Sequence, residues 1–235
     1  MKFAKYLTAF SVFSVFMGTT LPANAVALGK NIVDITSGVG SQPNDVLPGS
    51  REDNDNIFFF EEKTNFKLNS DLGVDGSSPD DLGEVLNPNT GTPATISSGE
   101  EVNSYFFQYS PVTTTSTGST TGKGNSSDFS ATFNNERILG LIFKTGSLNG
   151  SDSQVGLPSG VTYPTTFRGI ENNDGVKFVN QNTIEVTNLN SNKSYVDGFR
   201  VVTEEVEDVP ESSSLLGLLA VSVLGAGTVL VRKQA

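Results

Sequence analysis

The side chains most able to do chemistry in this chain are oxygen donors. Glu52-Asp53-Asn54-Asp55 and the set Asp71, Asp75, Asp80 and Asp81 crowd carboxylates into short stretches. Oxygen-only ligand sets suit a hard cation such as calcium. Asp53, Asp55, Asp75, Asp80 and Asp197 are the calcium candidates, and Glu171 is a further donor at a strand end. Neither run follows the EF-hand loop; the second lacks ligands at alternate positions and a closing Glu. The competing reading is that Asp and Asn shape turns, because their short side chains hydrogen-bond the local backbone. Arg168 and Arg200 stand beside strand residues in a base-poor region. They suit an anionic sugar, or an ion pair with neighbouring acids such as Glu171 and Asp197.

Much other chemistry is excluded outright. The 235 residues contain no histidine and no cysteine. Thiol nucleophiles, disulfides, Cys/His zinc sites and imidazole-dependent triads are therefore absent. Gly118-Ser-Thr-Thr-Gly122-Lys123-Gly124 falls short of a phosphate loop: one residue is missing between the glycines, and Gly124 stands where Ser or Thr should bind magnesium. Gly156-Leu-Pro-Ser159-Gly160 shifts the serine of a nucleophile elbow by one position. A glycan hydrolase without histidine would need paired carboxylates, one kept protonated by burial. Among 26 acidic residues no spacing selects such a pair, so no catalytic residue is assigned. The net charge of −11 and a pI near 4.4 argue against nucleic acid, whose phosphates require a basic patch.

The elements that must position these groups read as strands. From Val26 to about Asp208, short apolar runs alternate with Gly, Asn, Asp and Ser. Tyr105, Phe107 and Tyr109 share one strand face, with Ser104 and Gln108 on the other; Phe129, Ala131 and Phe133 line another strand. Ile184 with Val186, and Phe199 with Val201, do the same, and Arg200 points away. Ile57–Phe60 and Ile138–Phe143 are continuous apolar runs, suited to strands buried on both faces. Asn149-Gly150, Asp174-Gly175 and Asp197-Gly198 predict turns, because Gly after Asn or Asp takes positive φ cheaply. The sum is an all-β fold: about eight to ten strands in a single β-sandwich or jelly-roll-like ectodomain over residues 26–205. Residues 74–98 and 111–127 read as loops.

The two ends read as addresses. Lys2 and Lys5 precede an apolar run, Leu7 to Met17, and Ala23 and Ala25 supply the small residues that signal peptidase reads. Residues 1–25 are thus a predicted signal peptide. An acidic spacer covers residues 206–214, followed by an uncharged stretch, Leu215 to Val231, long enough for a short transmembrane helix. Arg232 and Lys233 begin a basic tail over 232–235, placed in the cytoplasm by the positive-inside rule. Val209-Pro210-Glu211-Ser212, the span and Arg232-Lys233 together resemble the PEP-CTERM sorting signal; Ser212 stands where that family has its second proline. The resemblance implies processing by an exosortase.

The domain between resembles an uncharacterised type of PEP-CTERM ectodomain. The residues that carry the likeness are Asn56 to Phe66, Val102 to Phe107, Ile138 to Ile142, Thr162 to Pro164, Arg168 to Glu171 and Val196 to Val202. A weaker likeness joins that last stretch to the closing strand of jelly-roll carbohydrate-binding modules. The expectation is an exported, non-enzymatic protein of the cell envelope or extracellular matrix. It would be anchored in the inner membrane or released, with membrane and envelope polysaccharide as partners. The alternative is a calcium-stabilised glycan-binding or adhesin module. Residues 26–211 hold all 26 acids but only 11 of the 15 bases, so the exported part carries a net −15.

Overall fold

The computed structural model describes residues 26–36, 46–47, 50–78, 80–112, 118–120, 126–157, 161–191 and 196–206. The predicted signal peptide, its cleavage residues Ala23 and Ala25, the sorting motif Val209 to Ser212, the membrane span and the tail with Arg232 and Lys233 all lie outside the described residues. Among the described residues, no helix is long and apolar enough to cross a membrane.

The chain is all-β in character, and two sheets dominate. One runs in the order β1 (Val26–Leu28), β10 (Ser130–Phe133), β13 (Thr183–Asn188), β12 (Gly175–Asn180) and β6 (Val85–Leu86). The other runs β2 (Ile32–Asp34), β3 (Ile57–Lys67), β8 (Glu101–Tyr109), β15 (Asp197–Glu205), β11 (Glu136–Ile142) and β5 (Gly76–Ser77). Two small pairs complete the set, β4 (Leu72–Val74) with β7 (Ala94–Ile96) and β9 (Gly118–Ser119) with β14 (Asn190–Ser191). Every named pairing is antiparallel except β2 with β3, which is parallel. Among the described residues the expected eight to ten strands become fifteen, partly because four short ones, β5, β6, β7 and β9, sit inside stretches that read as loops.

The two sheets share one apolar core. Phe133, Phe178, Ile184 and Val186 come from the five-stranded sheet; Phe59, Tyr105, Phe107, Tyr109, Phe199 and Val201 come from the six-stranded one. These are the period-two faces that the sequence predicts. Phe107 and Phe199 stack with centroids 4.8 Å apart and planes 4° from parallel, which adds specific geometry to the burial.

The opposite face of the six-stranded sheet is buried as well. Phe60, Val102, Phe106, Ile142 and Val202 meet Leu148 and Val155 of a helix, α1 (Thr145–Val155), in a second core. That third layer was not legible in the sequence. The α1 segment TGSLNGSDSQV holds two glycines and three serines, poor helix formers, and its buried positions are only Leu148, Ser151 and Val155. Asn149-Gly150 is accordingly a helical turn and not the predicted loop turn. Two other predicted turns also fail: Gly175 opens β12 and Gly198 lies inside β15. Neither glycine has positive φ; Gly198 is needed because a Cβ there would come 2.7 Å from the Phe106 ring.

One local irregularity explains how the run Ile138–Phe143 serves both cores. The pairing of β11 with β15 slips between Ile138 and Gly140, so Leu139 is an extra, bulged residue. The bulge resets the alternation, and Ile138 and Leu141 both reach the inter-sheet core although an unbroken strand would oppose them. Gly140 is then forced by close approach, since a Cβ would meet the Gly76 carbonyl oxygen at 2.8 Å.

Candidate functional site

The outer face of the six-stranded sheet holds the densest cluster of charge. Arg200 of β15 is fully buried and binds Glu62 of β3 through two donors, Nε to Oε2 at 2.5 Å and Nη2 to Oε1 at 2.7 Å. Its Nη1 donates to Ser151 Oγ at 2.5 Å, and Nη2 reaches Asp152 Oδ1 at 3.2 Å. Arg168 takes Asp152 through a second fork, Nη1 to Oδ2 at 2.5 Å and Nη2 to Oδ1 at 2.8 Å. Ser104 Oγ donates to Glu62 at 2.8 Å, and the Tyr163 hydroxyl also donates to Glu62. Both guanidinium groups lie near the Phe106 and Tyr163 rings, 4.8 to 5.8 Å from their centroids. Burial alone would weaken the Arg200 charge, but Glu62 and Asp152 more than offset it and raise its pKa.

In this arrangement two carboxylates meet two guanidiniums in two forks, and among the described residues only the Arg168 Nε of the two groups is left without a partner. The ion pairs suggested by sequence, Arg168 with Glu171 and Arg200 with Asp197, are therefore replaced by Arg168–Asp152 and Arg200–Glu62. The reason is alternation. Asp197 and Arg200 are three apart on one strand, so they project to opposite faces of the sheet.

Two other buried carboxylates close the ends of the inter-sheet core. At one end Glu136, paired in register with Glu205, accepts the Tyr105 hydroxyl at 2.7 Å and the Thr203 hydroxyl. Burial raises its pKa, the two hydroxyl donors pull the other way, and Glu205 adds repulsion. Glu61 is raised too, by burial and then by Glu136 and Asp34. The folded state therefore favours the protonated acid. The Glu136 contribution to stability is present at low pH and is lost as pH rises from its ordinary 4.5 through its elevated folded value. Glu136→Gln is expected to melt above the wild type at pH 7.5, with the difference closing towards pH 4; a melting series across that range checks it.

At the other end, β15 begins with Asp197, opposite Tyr109 of β8. Asp197 is 2% exposed, and its Oδ2 has no hydrogen-bond donor among the described residues. Burial raises its pKa strongly, and Asp174 adds repulsion; a Ser191 side-chain hydrogen bond acts against both. Asp174, just before β12, accepts the Asn190 N–H at 2.9 Å and the Glu171 N–H at 2.6 Å. Its pKa is pushed up to about 6, chiefly by burial. The Tyr109 hydroxyl, which donates to the Asn54 carbonyl at 3.2 Å, is pushed up to about 12 by burial and by Asp197, Asp55 and Asp53.

The structure thus brings three of the five calcium candidates, Asp53, Asp55 and Asp197, to one end of the core around Tyr109. Asp53 is engaged in a turn: Oδ1 accepts the Asp55 and Asn56 N–H groups at 2.7 and 3.0 Å, and Oδ2 accepts Asn56 Nδ2 at 2.9 Å. Asp75 lies elsewhere and is likewise occupied. Its Oδ2 accepts the Phe143 and Lys144 N–H groups, each at 2.8 Å, and its Oδ1 accepts Ser147 Oγ at 2.7 Å. Asp80 is exposed on a turn, and its neighbour Asp81 serves Ser77 and Thr92. Sequence reading missed Asp174, Glu62, Glu136 and Asp152. Only Asp174 left a trace there, as the Asp of a supposed turn. Among the described residues no three acidic side chains gather as a ready-made metal cage.

A cleft of about 460 Å³ lies beside the exposed edge of β11, lined in part by Ser77, Ser78, Thr95, Glu100, Arg137 and Glu204. Arg137 is tied to Glu204, Nε to Oε1 at 2.6 Å, and among the described residues no aromatic side chain lines the cleft. No protein-family model, curated protein or solved structure matches the chain.

Proposed function

We propose that this chain is an exported envelope protein whose task is display and not catalysis. In this reading residues 1–25 are a cleaved signal peptide and residues 26–205 a β-sandwich of jelly-roll-like form. An acidic spacer, a transmembrane helix over 215–231 and a basic tail follow. The observation that carries it is the ordered pair of terminal addresses: Ala23 and Ala25 after a short apolar run, then Val209, Pro210, Glu211 and Ser212 ahead of the span and Arg232-Lys233. Exosortase recognition of the second address would anchor the domain in the inner membrane or release it to the surface. The buried arginines support a scaffold role, since their charge is spent on holding α1 to the sheet. The net −15 of residues 26–211 favours cation-bridged contact with acidic polysaccharide.

Fractionation followed by intact-mass measurement tests the reading. The expected result is a membrane or extracellular species that begins at Val26. Replacing Pro210 and Glu211 by alanine should leave the C-terminal helix attached and remove any released form. Full-length protein with Met1 retained in the cytosol would overturn the proposal.

A further inference from the structure

We propose that Asp197 and Asp174 form a calcium site at the end of the inter-sheet core, with Asp197 Oδ2 as its anchoring ligand. The decisive observation is that Oδ2 is a buried carboxylate oxygen without a donor among the described residues. A buried anionic oxygen demands a partner, and nearly all such groups in native proteins have one. Among the described residues, the groups that act on it are acidic or neutral. Asp174 and Glu171 repel it, and the donors to it among the described residues are the Ser191 side chain and the Asn190 N–H, which Asp174 Oδ1 also accepts at 2.9 Å. The two buried arginines are committed to Asp152 and Glu62.

The donor chemistry selects the ion. Two carboxylates and a serine hydroxyl are hard oxygen ligands, and with neither histidine nor cysteine in the chain nothing softer is on offer. Calcium accepts six to eight oxygens at flexible angles and completes its shell with water, so it tolerates a site built from two carboxylates. Magnesium requires near-octahedral geometry and keeps its waters, which suits such a fixed pair less well. Position gives the site a consequence. Asp197 opens the strand that pairs with both β8 and β11, and Asp174 leads into β12 of the opposing sheet. A bound ion would clasp the two sheets where their shared core ends.

The assignment stands apart from the export reading, because its test uses purified protein and its failure leaves localisation untouched. Full-length protein in detergent, stripped with chelator, is expected to melt about 5 °C higher in about 10 mM CaCl₂. Asp197→Asn and Asp174→Asn should each lose that rise, while Glu100→Gln, an exposed acid on another loop, should keep it. Terbium supplies a second readout. The chain has no tryptophan, so tyrosine-sensitised luminescence should appear with the wild type, be displaced by calcium and vanish in Asp197→Asn. A wild type indifferent to calcium would overturn the proposal; if Asp197→Asn then melts higher in chelator, a shared proton neutralises the pair. A calcium response retained by both variants would overturn it equally.

Discussion

Arg200→Met is expected to cost the domain about 3–5 kcal/mol, a fall in melting temperature of roughly 10 °C. The size follows from what is left behind. Without the guanidinium, Glu62 stays 4% exposed with only the Ser104 and Tyr163 hydroxyls to hold its charge, and Asp152 keeps Arg168 alone. Removing one member of a buried pair strands the other, whereas the intact pair adds little over a well-packed apolar substitute. Replacing Glu62 by methionine together with Arg200 should therefore cost clearly less than the sum of the two single changes. A double-mutant cycle by urea unfolding, followed through tyrosine fluorescence, measures the difference. Strict additivity would show that the network is not a unit.

The second large effect is predicted at Asp75. Asp75→Ala should destabilise by about 3 kcal/mol, because one buried and one partly buried backbone N–H lose their acceptor at once. Those groups belong to Phe143 and Lys144, where the chain leaves β11 and enters α1. Lys144 is the N-cap of α1 and offers no side-chain cap; Asp75, from a distant segment, instead holds the N-cap N–H and the Ser147 hydroxyl of the first turn. Its negative charge also lies near the helix N-terminus, which favours it. A helix with so little intrinsic propensity depends on such a tertiary anchor. The loss should be the same with and without calcium, which separates this acid from Asp197. Chemical denaturation in chelator and in CaCl₂ checks both points.

Particular residues show why some of this was legible in the sequence and some was not. Tyr105, Phe107 and Tyr109, or Phe199 and Val201, declare an apolar face because alternation at period two is local and survives any tertiary context. The same pattern assigns Ser104, Gln108 and Arg200 to a polar face, and polar faces normally meet water. Here that face meets α1 and Tyr163, so Arg200 is fully buried among charges. Nothing in the α1 segment announces a helix, since only Leu148 and Val155 among its buried residues are apolar. The Asp-Gly pairs misled for a related reason. A glycine after Asp suits a turn, but Gly198 serves instead to clear the Phe106 ring.

The calcium candidates divide along the same line. Clustering in sequence chose Asp53 and Asp55 and also Asp75 and Asp80, whose carboxylates are committed or exposed, while Asp197 was chosen as a donor at a strand end. Proximity in space chose Asp174, twenty-three positions from Asp197, because β12 and β15 belong to opposing sheets that meet at their ends. The amino-acid sequence by itself determined the exclusions, the β-rich class and which faces are apolar, since these depend on composition and on the strand period. Only the tertiary structure decided which charges meet. A carboxylate's role depends on the donors folded against it, and those donors come from segments up to 138 residues away, as for Glu62 and Arg200.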